Sequence, residues 1–336
     1  GFVTDNENKI KKLRQLLGEW RPELLIYGCS AHYLNLVENE ATPSAAKNHI
    51  VEVQKYFRTH QKEAALLKEA GGKSPQLPNN TRWSSDKACF STFVENHHLY
   101  LRIRDSEGNS MSPRIKHLID NRGLLLEARH MLQQLDKISD ALNVMQSDSS
   151  DLADATLAWM ELIRDESLPE EVRRIIEKRF EEVRTPFHIL AVMLRGKNIH
   201  LRKELKDEAM AHLENLNNDF PGIMAAYEME DASMFPKAAF QNSVKNVLAP
   251  IKYWGWITQN AEIPLVKHFC SLAVKILSCP PSTGGLERCF SAFGMVHSKL
   301  RNRLNNERVA KLVKVYLHLR SGNEAVDNFD LVMDKE

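Results

Sequence analysis

The sequence lacks long hydrophobic runs. Nowhere do 18 apolar residues follow one another, so no membrane-spanning helix is expected and no membrane partner is implied. Cysteine is scarce. The five residues Cys29, Cys89, Cys270, Cys279 and Cys289 are scattered and odd in number. This argues against a disulfide framework and for a reducing compartment. An excess of one charge is also missing. With 45 Lys and Arg against 44 Asp and Glu, the net charge is +1, so any nucleic-acid site must be built from local charge. There is no internal repeat, no low-complexity segment and no signal-peptide pattern.

What is present is a globular composition, 43% hydrophobic and 26% charged over 336 residues. The chain opens on Gly1-Phe2-Val3-Thr4-Asp5-Asn6, a short buried strand met part-way, without a Met. The opening reads as that of a fragment whose first strands lie upstream. Ile10, Leu13, Leu16 and Leu17 then share one helical face, with Gly18 as the expected stop. Leu24 to Cys29 reads as a second strand. Strand, helix and strand in about 29 residues is the spacing of a parallel pair. Asp5 and Cys29 then lie at carboxyl ends of neighbouring strands, the edge where open α/β sheets build their sites.

Helices are expected over 30–40 and, as one long element, 44–70. From 86 to about 250 no alternating strand pattern occurs, and helical candidates follow one another, the last over 236–248. An apolar helix is expected over 264–278. A further helix carries Glu287 in its first turn or so, and an amphipathic one spans 305–320. The sequence therefore divides into residues 1–85, an all-helical stretch 86–250, and 251–336.

Asp5 and Glu287 are the leading site candidates. A carboxylate at a strand end beside one on a helix is raw material for a Mg²⁺ or Mn²⁺ site in phosphoryl chemistry. The plainer alternative is a helix cap at Asp5 and a favourable dipole contact at Glu287. Cys29 and His32 have half of a zinc spacing, with no second pair to complete it. Trp83 beside Arg82 suits either base stacking or a loop anchor. Between Leu286 and Arg320 there are eight Lys or Arg against two acids, among them Arg288, Lys299, Arg301 and Arg303. Such a cluster attracts a phosphate backbone. Val309, Leu312, Val313, Tyr316 and Leu319 form an apolar stripe fit for a core or a partner chain.

Several blocks occur together in order. Pro281 to Ser291 with Glu287 and Arg288, then His297 to Leu304 and Glu307-Arg308-Val309, resembles the C-terminal signature of hAT-superfamily DNA transposases. Val3-Thr4-Asp5-Asn6 is similar to that family's strand bearing the second catalytic Asp. Cys29-Ser30-Ala31-His32 is similar to its Cys-x-x-His block, and Thr81-Arg82-Trp83 to its Arg-Trp block. Ser147 to Ser150 and Leu152 to Trp159 resemble its helical insertion more loosely.

The resemblance implies a mixed α/β, mostly helical fold, with a partial RNase H-like core interrupted by a large all-α insertion. It implies that Asp5 and Glu287 are two of three acids holding Mg²⁺ or Mn²⁺, with Cys29 and His32 near the active centre. Arg82, Trp83 and the basic residues would then meet DNA, and Trp83 would stack on a flipped base. It also implies homodimerisation through the C-terminal region, and a nuclear location. The family's first catalytic Asp and its N-terminal BED-type zinc finger are absent from these residues. Little strand-transfer activity and weak metal binding are therefore expected of this segment alone. The competing function is a domesticated derivative that binds DNA and dimerises without cutting.

Overall fold

The structure, a computed structural model, describes residues 1–21, 24–79, 84–106, 111–196, 201–245, 247–296 and 305–321. Strands β1 (Phe2–Thr4) and β2 (Ile26–Gly28) flank helix α1 (Asn8–Trp20). They pair in parallel, Phe2 with Ile26, Val3 with Tyr27 and Thr4 with Gly28, which is the expected unit. Gly18 lies inside α1 instead of stopping it. It does not adopt the positive φ that a glycine stop uses. The helix ends where the Arg21 amide bonds the Leu17 carbonyl at 2.8 Å.

The chain divides into two compact units, residues 1–31, 145–155 and 185–336 in one, and 32–144 with 156–184 in the other. The second unit is helical. Helix α2 (Ser30–Ala41) runs into it, followed by α3 (Ser44–Thr59), α4 (Gln61–Glu69), α5 (Ser85–Arg104), α6 (Pro113–Asp120) and α7 (Arg122–Gln146). Most of α8 (Leu152–Arg164) and all of α9 (Glu170–Val183) also belong to it. Its core gathers Ile50, Phe57, Phe90, Phe93, Tyr100 and Ile119 from α3, α5 and α6. Gln54 crosses this core with its amide satisfied. Its Nε2 donates to the Cys89 carbonyl at 2.7 Å and to Thr92 Oγ1 at 2.6 Å, and its Oε1 accepts from the Tyr100 hydroxyl at 2.7 Å.

The single long helix expected over 44–70 is two. The break falls at His60, which is extended with φ −89° and ψ 110°. The His60 ring stacks on Tyr56 at 3.9 Å, and the Thr59 hydroxyl donates to the Lys55 carbonyl at 2.9 Å. Such local side-chain bonds compete with helix propagation.

The first unit continues with α10 (Pro186–Leu194), α11 (Lys203–Leu216), α12 (Phe220–Glu228), a 3₁₀ turn (Lys237–Phe240) and α13 (Asn242–Lys245). It then adds α14 (Pro250–Asn260), α15 (Pro264–Leu277), α16 (Gly284–Val296) and α17 (Asn306–Ser321). Trp254 of α14 donates its indole N–H to the Leu194 carbonyl at 3.0 Å and packs on Tyr227 and Phe269. The continuous helix expected over 236–248 is instead a 3₁₀ turn and a single α-turn. Phe235 and Phe240 both pack on Tyr227, at 5.7 and 6.0 Å. Phe235 lies before the turn, ahead of Pro236, and Phe240 closes it, so the two rings reach Tyr227 from the two ends of the turn. Among the described residues the fold is mostly helical with one parallel strand pair. None of their helices is long and apolar enough to cross a membrane.

Candidate active site

The first unit brings the end of its strand pair against the start of α16. Tyr27 of β2 donates its hydroxyl to the Pro280 carbonyl at 2.8 Å, and the Ser30 amide donates to the Pro281 carbonyl at 3.0 Å. Burial and the neighbouring Cys279 hold the Tyr27 phenol well above its ordinary pKa, so it stays a donor.

Asp5 follows β1 and is half-buried. Its Oδ1 accepts from the Glu7 amide at 3.3 Å, and Arg14 of α1 donates to its main-chain carbonyl at 2.6 Å and to Thr4 Oγ1 at 2.7 Å. Arg14 thus pins the strand end. Helix α1 takes Glu7 as its N-cap residue, so Asp5 stands one turn-forming contact away from a simple cap.

Glu287 is exposed in the first turn of α16. The Thr283 hydroxyl donates to its Oε1 at 3.0 Å. Cys29, fully buried, connects the two acids. Its amide donates to the Thr4 carbonyl at 2.7 Å, and its Sγ accepts from the Thr283 amide at 3.4 Å and lies 3.5 Å from Thr283 Oγ1. The path from Asp5 to Glu287 therefore runs through Thr4, Cys29 and Thr283. His32, half-buried on α2, falls in the other unit.

Two further groups beside these residues went unremarked in the sequence. Asn6 is 8% exposed and both its side-chain polar atoms are buried without a hydrogen-bond partner; the Ser30 hydroxyl is buried and unpartnered too. Each such group costs about 1–3 kcal/mol if nothing satisfies it. They mark the strand ends as a place where polar capacity is held in reserve. A divalent metal pair, however, needs a fuller donor set than Asp5 and Glu287. Among the described residues no group of three or more His, Cys, Asp or Glu is placed to hold a metal ion. Among the described residues, Asp5 and Glu287 do not make a complete metal centre.

Of the basic candidates, Arg288 is ion-paired with Asp148. The pair is largely solvent-facing, so it is worth about 0–1 kcal/mol and competes weakly with a phosphate. Arg82, Trp83, Lys299, Arg301 and Arg303 lie outside the described residues. Ser84, next to the Arg-Trp block, takes φ 55° and ψ 23°, a left-handed conformation for a non-glycine residue, and its hydroxyl donates to Ser139 Oγ at 3.2 Å.

Helices α16 and α17 pack as a hairpin. Val309 and Val313 are buried against Ala292 and Val296, with Tyr316 partly buried beside them. The other residues of the expected stripe face out, Leu312 at 44% and Leu319 at 78% exposure. They have exposed company that the sequence reading passed over: Val315 on α17, and Leu286, Phe290 and Phe293 on α16. The 286, 290, 293 spacing is i, i+4, i+7 and was there to be read. Most helical stability comes from packing an apolar face, and this hairpin buries only part of what it carries. Residues 229–318, which include both helices up to His318, match the model of the hAT family C-terminal dimerisation region.

The match covers 229–318 of the 336 residues, and over those residues the chain is similar to the hAT dimerisation region. No match to a curated protein was found. Along α17 the stripe does two things: Val309 and Val313 close the hairpin, while Leu312, Val315 and Leu319 are left to the outside.

Proposed function

We propose that this chain is the catalytic and dimerising region of a hAT-type DNA transposase, with Asp5 and Glu287 as two of its three acids. The observation that carries the reading is the hAT dimerisation match over 229–318 on the very helix that bears Glu287. The route from Asp5 to Glu287 through Cys29 and Thr283 supports it. The proposed fold of this part is an interrupted RNase H-like core, the proposed cofactor Mg²⁺ or Mn²⁺, and the proposed location the nucleus. A bound metal pair would supply charge stabilisation for strand cleavage and transfer; Asp5 and Glu287 alone are an incomplete donor set for it.

The protein's own task in such chemistry is positioning. Arg14 fixes the strand end that carries Asp5. Thr283 meets Glu287. The exposed apolar residues of α16 and α17 would join two copies, so that two DNA ends are held in one assembly. Arg288 would exchange Asp148 for a phosphate, alongside Lys299, Arg301 and Arg303, and Trp83 with Arg82 would hold a flipped base near the cut.

The second reading is a domesticated derivative that binds DNA and dimerises without cutting. It is favoured by the fact that the matched region is the dimerising one. The test is Mg²⁺-dependent cleavage of terminal-repeat DNA by the protein made from its full reading frame. The transposase reading expects cleavage that Glu287→Gln abolishes while DNA binding remains. Retained binding with no cleavage in the parent protein would establish the derivative instead. The 336-residue chain alone is expected to cleave little or not at all.

A further inference from the structure

Glu287 is an exposed side chain at a helix start, and an exposed glutamate samples many rotamers. A carboxylate that must meet a reacting centre has to be held in one of them. The only question is what holds it, and the contacts around Thr283 supply an answer. Thr283 precedes α16, and its carbonyl accepts the Glu287 amide at 3.0 Å. A threonine in that place commonly turns its hydroxyl back to a helix amide. Here the hydroxyl reaches the Glu287 carboxylate at 3.0 Å.

A hydroxyl has one proton to give. At 3.0 Å the carboxylate is the stronger acceptor, so the proton goes to Glu287. Oγ1 also lies 3.5 Å from Cys29 Sγ. The same sulfur accepts the Thr283 amide at 3.4 Å, so Cys29 grips Thr283 twice. Cys29 is itself fixed, being fully buried and bonded through its amide to the Thr4 carbonyl at the end of β1. The rotamer of Glu287 is thereby referred to the same strand end that carries Asp5.

We infer that Thr283 is a positioning residue for Glu287 and that the buried Cys29 thiol orients its hydroxyl. This rests on the reading of Glu287 as a catalytic acid. The role asked of Cys29 is packing and its two sulfur contacts to Thr283; no metal and no nucleophilic step is assigned to it.

The experiment uses the protein from its full reading frame, labelled with ¹³C-carboxyl glutamate, with the Glu287 resonance assigned by its loss in Glu287→Gln. Thr283→Val removes the hydroxyl and keeps the shape. The Glu287 resonance is expected to move in Thr283→Val, to return in Thr283→Ser, and to move in the same direction in Cys29→Ala. In the cleavage assay Thr283→Val should lose about 10-fold in kcat with KM for DNA unchanged, and Thr283→Ser should keep the parent rate. A Glu287 resonance that stays put in Thr283→Val overturns the inference, as does a serine variant that behaves like the valine one. If Glu287→Gln cleaves normally while Thr283→Val still moves the resonance, the contact stands and the catalytic reading of Glu287 fails.

Discussion

Helices α5 and α16 make opposite use of their apolar residues. Ten of the 20 residues of α5 are buried, including Phe90, Phe93 and Tyr100, inside the second unit. In α16 only Gly284, Ala292 and Val296 of 13 residues are buried, while Leu286 and Phe290 are 54% and 72% exposed. The first helix completes a core belonging to one chain. The second holds its large side chains outside, and its buried positions are small. A helix of that kind is stable in company, and the hAT dimerisation match names the kind of company.

Four changes would break or sharpen the contrast. The largest effect is expected from Phe90→Ala, which empties a fully buried site and should lower unfolding free energy by about 3–5 kcal/mol. The same deletion in α16, Phe290→Ala, should leave monomer unfolding nearly unchanged and instead weaken self-association, read by sedimentation. If Phe290→Ala destabilised the fold as much as Phe90→Ala, the two helices would not differ in kind. Next is Gln54→Ala, which takes the acceptor from the Tyr100 hydroxyl, leaving that oxygen the Asn96 amide at 3.3 Å, and removes one of the donors to the Cys89 carbonyl. It should cost about 1–3 kcal/mol in denaturant melts.

The smallest effect concerns Glu38, 4% exposed, whose carboxyl pKa is raised by burial and then by nearby Asp86. The folded state holds the proton more tightly than the unfolded chain. The stability Glu38 provides is therefore fully present below about pH 4.3 and falls as pH rises through its folded value. Glu38→Gln should raise stability by about 1 kcal/mol at pH 7 and flatten this part of the pH profile in thermal melts. A variant less stable than the parent at pH 7 would mean that the carboxylate is needed there.

Local pattern carried a good deal of this. The strand–helix–strand opening follows from two apolar runs and the face set by Ile10, Leu13 and Leu17. The helix over Arg122–Gln146 is readable from its period alone. The break at His60 was not legible, because it depends on a ring stack and a back-bonded threonine that periodicity does not register. The 3₁₀ turn at Lys237–Phe240 was hidden for a related reason, since both flanking phenylalanines answer to Tyr227. At the candidate site the residue types and their order suggested Asp5, Cys29 and Glu287. Thr283 did not stand out, because its importance comes from a contact across 254 positions of sequence. The ion pair of Arg288 with Asp148 spans 140 positions and was equally invisible.

That separation has a kinetic consequence. The helices of the second unit draw mainly on one continuous stretch, 32–144, and a core contact such as Gln54 with Cys89 spans only 35 positions. The Cys29–Thr283 contact closes a loop of 254 residues, and non-local closures of that size come late and slowly in folding. Cys29 and Thr283 meet only once nearly all of the intervening chain has found its place. A partly folded or truncated copy therefore lacks the Cys29–Thr283 contact, and with it the link between the strand pair and the start of α16.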